Sequence, residues 1–273
     1  MNKRTALITI SDGKGNPAAL VQDRITEMFT RQPAFGVDVN HVTWAAFQKT
    51  AFYKKHKTQL DNPNPLMNGR AYVPYVIGAA LAKAAAGDFV IYSDSSPEIW
   101  EVALGADLTG FDLDVIKELC VKADDILAVQ VRWTPGAFSS ADDPGVATFK
   151  NFTINSCLDK MGLRALENCY MPARLLWCFR KSRKSTAFLS AWLKWSMDPD
   201  CLPKDPNVLE QGKLGLVIDQ SISGLLLAKS NHRLLVAPAY MGPGDLHPMN
   251  FLSYCRRDLS YVFMESNPEH ITV

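Results

Sequence analysis

The sequence predicts an α/β fold, a mostly parallel central sheet flanked by helices, and three observations carry that prediction. Apolar runs at residues 6–10, 89–92 and 126–133 end in turn or polar residues, the pattern of strands buried on both faces. Helical periodicity recurs between them, at residues 17–29, 74–86 and 104–122. The 273 residues are 47% hydrophobic and 21% charged, enough apolar material for one large domain or two small ones.

The first run stops at Ser11-Asp12-Gly13-Lys14-Gly15-Asn16. A strand followed by a Gly-rich polar loop often opens a nucleotide-binding domain, but this loop has the spacing of neither a P-loop nor a dinucleotide fingerprint. Pro17 suits the first turn of the next helix, where Leu20, Val21, Ile25, Met28 and Phe29 are apolar. Residues 37–44 partly alternate apolar and polar and read as a second strand. Residues 47–60 read as one basic helix, and D-N-P-N-P at 61–65 is a break. The alanine-rich helix 74–86 suits close packing on a sheet, and Gly87-Asp88 ends it.

The chain is organised around residues 87–100. The buried run 89–92 gives way to Asp94, Ser95, Ser96 and Pro97. In open α/β sheets ligands bind outside the carboxyl ends of strands, so a carboxylate there can hold a divalent cation or a sugar hydroxyl. The same Asp94 could instead close an Asx turn on backbone N–H groups. Residues 126–133 follow as a central strand, and 134–146 as a long loop bordering a site. Residues 152–161 read as a short helix and 175–179 as a compact apolar run with Trp177 and Cys178. Arg180, Lys181, Arg183 and Lys184 come next. Ser185 then caps a helix over 186–197, whose apolar face includes Phe188, Leu189, Trp192, Leu193 and Trp195. The run 214–218 leads into Asp219-Gln220-Ser221 and a helix to 229, and 233–239 is a last strand. Residues 240–273 read as loop-rich.

Net charge is +1, which gives no global reason to bind nucleic acid or an anionic membrane. The six cysteines are scattered without a C-x-x-C pair, so neither a zinc site nor a redox motif is indicated, and a reduced cytoplasmic setting is expected. The apolar segment near the start is too short for a signal-peptide core. The longest apolar region, 71–86, is interrupted by Pro74, Gly78 and Lys83 and too short to span a bilayer. A protein without a transmembrane segment is expected.

Several features, in order, resemble nucleotide-sugar-dependent glycosyltransferases of the GT-A fold, near the capsular or surface-polysaccharide group of bacteria and viruses. They are Thr9-Ile10-Ser11-Asp12; Phe52 to Leu60 around Lys55-His56; Val73-Pro74-Tyr75-Val76-Ile77; Gly87, Asp88, Tyr92, Asp94 and Ser96; Arg183-Lys184-Ser185 with Phe188, Trp192 and Leu193; and Leu216 to Ser223 around Asp219-Gln220-Ser221. Three positions depart from the group's pattern. Val73 stands for a lysine, Leu216 for a histidine, and Ser96 for the second acidic residue of a D-x-D motif.

The resemblance implies a GT-A-like catalytic domain over residues 1–240, with 241–273 as a C-terminal acceptor-side extension packed on it. It implies transfer of a sugar from a nucleotide-sugar donor to an acceptor hydroxyl on a glycan, a lipid-linked sugar or another polymer, nucleic acid included. Such transfer needs positive charge or a metal at the departing diphosphate. Asp94 is the implied ligand for Mn²⁺ or Mg²⁺ or for the ribose, with Ser96 beside it on the donor. Asp12 and Ser11 would approach the base or ribose, with Thr9 secondary. Arg180, Arg183 and Lys184 would neutralise the diphosphate, against the bland reading of a solvated basic turn. Arg70 could reach a phosphate. Asp219 is the implied catalytic carboxylate, a general base in an inverting enzyme, although it could simply cap a helix. Gln220 would bind sugar hydroxyls. Two rivals stand beside this reading: a degenerate, non-catalytic nucleotide-sugar or glycan-binding protein of the same fold, and a nucleotidyltransferase.

Overall fold

The computed structural model describes residues 4–10, 37–93, 112–130, 148–205, 207–211, 213, 217–236 and 261–266. Among these, seven strands make one mixed sheet. They are β1 (Thr5–Ile10), β2 (Val37–Val42), β3 (Phe89–Ser93), β4 (Ile126–Gln130), β5 (Pro172–Arg180), β6 (Arg233–Val236) and β7 (Val262–Glu265). Their spatial order is β2-β1-β3-β5-β4-β6-β7. β1 runs parallel to β2 and β3, and β4 runs parallel to β6. β5 lies antiparallel between β3 and β4, and β7 is antiparallel to β6. The expected largely parallel α/β sheet is therefore present, with reversed strands at β5 and β7. β7 brings residues 262–265 of the region read as loop-rich into the same sheet.

Strand alternation sorts the core into two layers. Ile8, Val90, Tyr92, Ile126, Ala128, Trp177 and Phe179 point to one face. Three helices cover that face: α4 (Tyr72–Lys83), α8 (Arg183–Ser196) and α9 (Ile218–Lys229). Leu7, Ile91, Leu127, Val129, Leu176 and Cys178 point to the other, where α5 (Leu113–Lys122) packs with Ile116 and Leu119. No helix among the described residues is long and apolar enough to cross a membrane.

Local capping explains where the helices differ from their sequence reading. The single helix expected over 47–60 is two, α1 (Trp44–Gln48) and α2 (Ala51–Leu60). Thr50 ends one and starts the other: its hydroxyl donates to the Phe47 carbonyl at 2.7 Å and accepts the Tyr53 N–H at 3.1 Å. α8 begins at Arg183 because Ser182, not Ser185, is its cap. The Ser185 hydroxyl accepts the Ser182 N–H at 3.1 Å, completing a capping box. The helix expected over 152–161 is likewise interrupted, as α6 (Phe149–Phe152) and α7 (Asn155–Met161). α3 (Pro65–Asn68) is a single turn capped by Asn64. The readings at 17–29, 104–111 and 134–146 lie outside the described residues.

A buried histidine gives the fold a pH dependence with a defined sign. His232 is 3% exposed, and its Nε2–H donates to the Ile126 carbonyl at 2.6 Å. Nδ1 then faces the Lys184 ammonium at 3.4 Å, with Asp124 and Arg233 nearby. Burial, helped by the Lys184 charge, pushes the imidazole down to about 4. The unfolded chain takes up this proton near pH 6.5, the native chain only near 4. Stability is therefore full above about pH 6.5 and falls as pH drops toward 4, by on the order of 3 kcal/mol from this group. His232→Gln, neutral throughout, is expected to flatten that slope in urea unfolding at about pH 7.5, 5.5 and 4.5. An unchanged slope in the variant would assign the acid sensitivity to other groups.

Candidate functional site

The parallel strands β1, β2, β3, β4 and β6 all end at one edge of the sheet, at Ile10, Val42, Ser93, Gln130 and Val236. That is the edge at which open α/β sheets bind ligands. Asp219 stands on the helical layer at this edge. α9 begins at Ile218, so Asp219 lies in its first turn rather than ahead of it, and the cap position is Val217. A carboxylate in a first turn is favoured by the helix dipole. It is not a cap here, because no side-chain capping bond is made at this helix end.

The environment of Asp219 is the most informative feature of the site. The residue is 6% exposed, yet its carboxylate accepts no hydrogen bond from the described residues. Its partner among them is Arg70, whose Nε is 3.8 Å from Oδ2. That is an ion pair at a distance too long for a hydrogen bond. Buried acceptors are nearly always satisfied, so this carboxylate is one that a ligand can still engage.

Arg70 is held by its neighbours. Gly69 closes α3 with φ +61°, and Arg70 follows with φ +45°. The Asn68 side chain accepts the Arg70 N–H at 2.8 Å, and Arg70 Nε donates to the Tyr72 hydroxyl at 3.2 Å. The guanidinium lies 5.9 Å from the Tyr72 ring centre.

A shallow cleft, too tight to admit a water molecule, borders Asp219 and is lined by Val73, Tyr92, Trp177, Trp192, Gln220 and Ser223. Tyr92 and Trp177 are cross-strand partners of β3 and β5, and Trp177 packs on Trp192 with ring centres 5.2 Å apart. The Trp192 indole N–H is buried without a partner among the described residues. The Gln220 amide donates to the Pro172 carbonyl at 3.1 Å, and the Ser223 hydroxyl donates to the Asp219 carbonyl at 2.8 Å. The aromatic side chains here are core residues, 1–2% exposed, so the group this cleft offers a ligand is the Asp219 carboxylate.

Among the sequence candidates, Asp219 and Gln220 come together here, and Arg70 joins them. Arg180, Arg183 and Lys184 do not. Because β5 runs backwards, Arg180 pairs with Phe89, the first residue of β3, while Trp177 pairs with Tyr92 near its end. Pro172 and Arg180, the two ends of this nine-residue strand, are roughly 25 Å apart. At the Arg180 end, Arg180 Nη1 bonds Asp125 at 3.1 Å and Lys184 bonds Asp124. Two positive-φ residues, Asp124 and Asp125, present these carboxylates in the turn between α5 and β4. The basic cluster therefore forms ion pairs at the amino end of the parallel strands, away from Asp219. Thr9 is buried, with His41 Nδ1 2.6 Å from its hydroxyl. Asp88 holds the Arg4 and Ala85 N–H groups at 3.1 and 3.0 Å, a structural role.

Ser11, Asp12, Asp94 and Ser96 lie outside the described residues, although Ile10 and Ser93, which end β1 and β3, immediately precede Ser11 and Asp94. No cluster of three or more His, Cys, Asp or Glu side chains suited to a metal occurs among the described residues. The sequence reading placed Trp177 in an apolar run and Trp192 on an apolar helix face, and both, with Tyr92, are fully buried in the core. In comparisons with known proteins, the chain matches no family model, no curated protein and no solved structure.

Proposed function

We propose that the protein is a glycosyltransferase that moves a sugar from a nucleotide-sugar donor to an acceptor hydroxyl, with Asp219 as its catalytic carboxylate. The observation that carries this reading is the buried Asp219 carboxylate, which accepts no hydrogen bond from the described residues and faces an aromatic cleft at the carboxyl edge of the sheet. A GT-A-type arrangement of the largely parallel sheet belongs to the same proposal. In the reaction the acceptor oxygen bonds to the anomeric carbon, and the carbon–oxygen bond to the diphosphate breaks with its electron pair. Asp219 takes the acceptor proton as general base if configuration is inverted, or faces the positive charge on the sugar if it is retained. Arg70 keeps a positive charge beside it.

The cleft has no room for a ligand as it stands, against the roughly 300–1,000 Å³ of most ligand sites. The resemblance assigns the remainder of a donor site to Ser11, Asp12, Asp94 and Ser96, which lie outside the described residues. A divalent ion held by Asp94 would neutralise the diphosphate. The Arg70–Asp219 pair also suits the rival reading, a binding protein of the same fold in which the carboxylate is simply neutralised.

The test is a thermal-shift screen against UDP, GDP, CDP and their common sugars, with and without Mn²⁺. One nucleotide sugar is expected to raise the midpoint, since a ligand at roughly 100 times its Kd contributes about 2.7 kcal/mol. No response to any of them, in folded protein, would overturn the proposal. Binding without transfer or donor hydrolysis would favour the binding protein.

A further inference from the structure

The last residue of β4 has a feature that the fold does not explain. Gln130 is fully buried, and neither its amide nitrogen nor its amide oxygen has a hydrogen-bond partner among the described residues. The other residues of β4, Ile126, Leu127, Ala128 and Val129, are apolar. An aliphatic side chain would fill the same space without penalty, whereas an unpaired buried polar group is destabilising.

Gln130 does not line the cleft, but successive neighbours connect it to Asp219. Ile126 and Ala128 face the layer of α4, α8 and α9, while Leu127 and Val129 face α5. Alternation therefore turns Gln130 toward the layer that contains Asp219. Across the sheet Ala128 pairs with Trp177, but Gln130 pairs with Pro172, so the register jumps beside it. The Pro172 carbonyl accepts the Gln220 amide, next in sequence to Asp219. Pro172 also packs directly on α9, where a Cβ on Gly224 would meet its Cδ at 2.5 Å. Gln130, Pro172, Gln220 and Asp219 are thus successive neighbours at the ligand-binding edge of the sheet.

We propose that Gln130 is a ligand-reading residue of this site. Its carboxamide offers a donor and an acceptor side by side. It matches a ligand edge with the complementary pair: two adjacent hydroxyls of a sugar, or the N–H and carbonyl of a nucleobase. This deepens the glycosyltransferase reading and rests on it.

The test compares wild type with Gln130→Met, which keeps the length of the side chain and removes both polar groups. In the free protein the variant's Tm is expected to rise by a few degrees, because an unpaired amide is gone. Its affinity for the nucleotide sugar that stabilises wild type is expected to fall about ten- to a hundredfold. A parallel titration with the matching nucleoside diphosphate separates the two ligand edges: equal loss there assigns Gln130 to the base, and loss confined to the nucleotide sugar assigns it to the sugar. A lower Tm, or a chain that no longer folds, would show that the amide is satisfied in the free protein and would overturn the proposal. So would unchanged affinity in a stabilised variant, while leaving the transferase reading intact. Wild type that binds none of the nucleotide sugars would overturn both.

Discussion

Asp219→Asn is expected to lower sugar transfer by about 10²- to 10⁴-fold while leaving the fold in place. Asparagine keeps the shape of the side chain in the first turn of α9 and removes its negative charge. The loss follows from the role proposed for the carboxylate: an amide can neither take a proton from an acceptor hydroxyl nor offset positive charge at the anomeric carbon. The structural cost is smaller, about 1–3 kcal/mol, because the Arg70 guanidinium loses its counter-charge. Arg70 also keeps its bond to Tyr72 and its backbone bond to Asn68. Circular dichroism melting and donor-consumption assays on the same preparation separate the two effects. A folded variant with wild-type turnover would reduce Asp219 to a partner for Arg70 and remove the main support for catalysis at this edge.

Periodic and local signals made the parallel frame legible in the sequence. β1, β3 and β4 are short apolar runs bounded by polar residues, and each overlaps a predicted segment. Strand direction was not legible. Residues 175–179 show the apolar character of β5 but not that it runs antiparallel between β3 and β4. That direction decides the fate of the basic cluster. Along the chain, Arg180, Arg183 and Lys184 come at a strand end and look like phosphate ligands. Placed in the sheet, they sit at its opposite edge, where Arg180 and Lys184 pair with Asp125 and Asp124.

At the candidate site Asp219 was visible because a carboxylate between an apolar run and a helix is conspicuous. Its partner was not, since Arg70 and Asp219 meet only through the packing of α4, α8 and α9. The same limit hid Gln130. One polar residue at the end of an apolar strand looks ordinary until the structure shows that its amide is buried and unpaired.

Gly69→Ala is expected to be among the most destabilising single changes in the chain, at about 3–5 kcal/mol. Two costs add. Gly69 has φ +61°, a left-handed conformation that costs an L side chain roughly 1–2 kcal/mol. An ideal Cβ would also stand 2.4 Å from the Ser196 carbonyl oxygen and 3.1 Å from Leu202 Cδ2. The first of these contacts is with backbone at the end of α8, so no rotamer change relieves it. The Ser196 carbonyl is further fixed by the Gln59 amide, which donates to it at 3.1 Å. Either α8 or the turn at residues 68–70 must move.

Gly162→Ala supplies the control. Gly162 has φ +67°, and a Cβ there meets nothing within 4 Å. It carries the conformational cost without the clash, so its loss in urea unfolding should be roughly 1–2 kcal/mol. The difference between the two variants measures how firmly the turn before Arg70 is wedged against α8. A large difference, together with weakened donor binding in Gly69→Ala below its melting range, is the expected result, because the same turn sets the approach of Arg70 to Asp219. Equal losses in the two variants would mean that α8 yields freely at Ser196, and that the position of Arg70 is set by its bonds to Asn68 and Tyr72 rather than by packing.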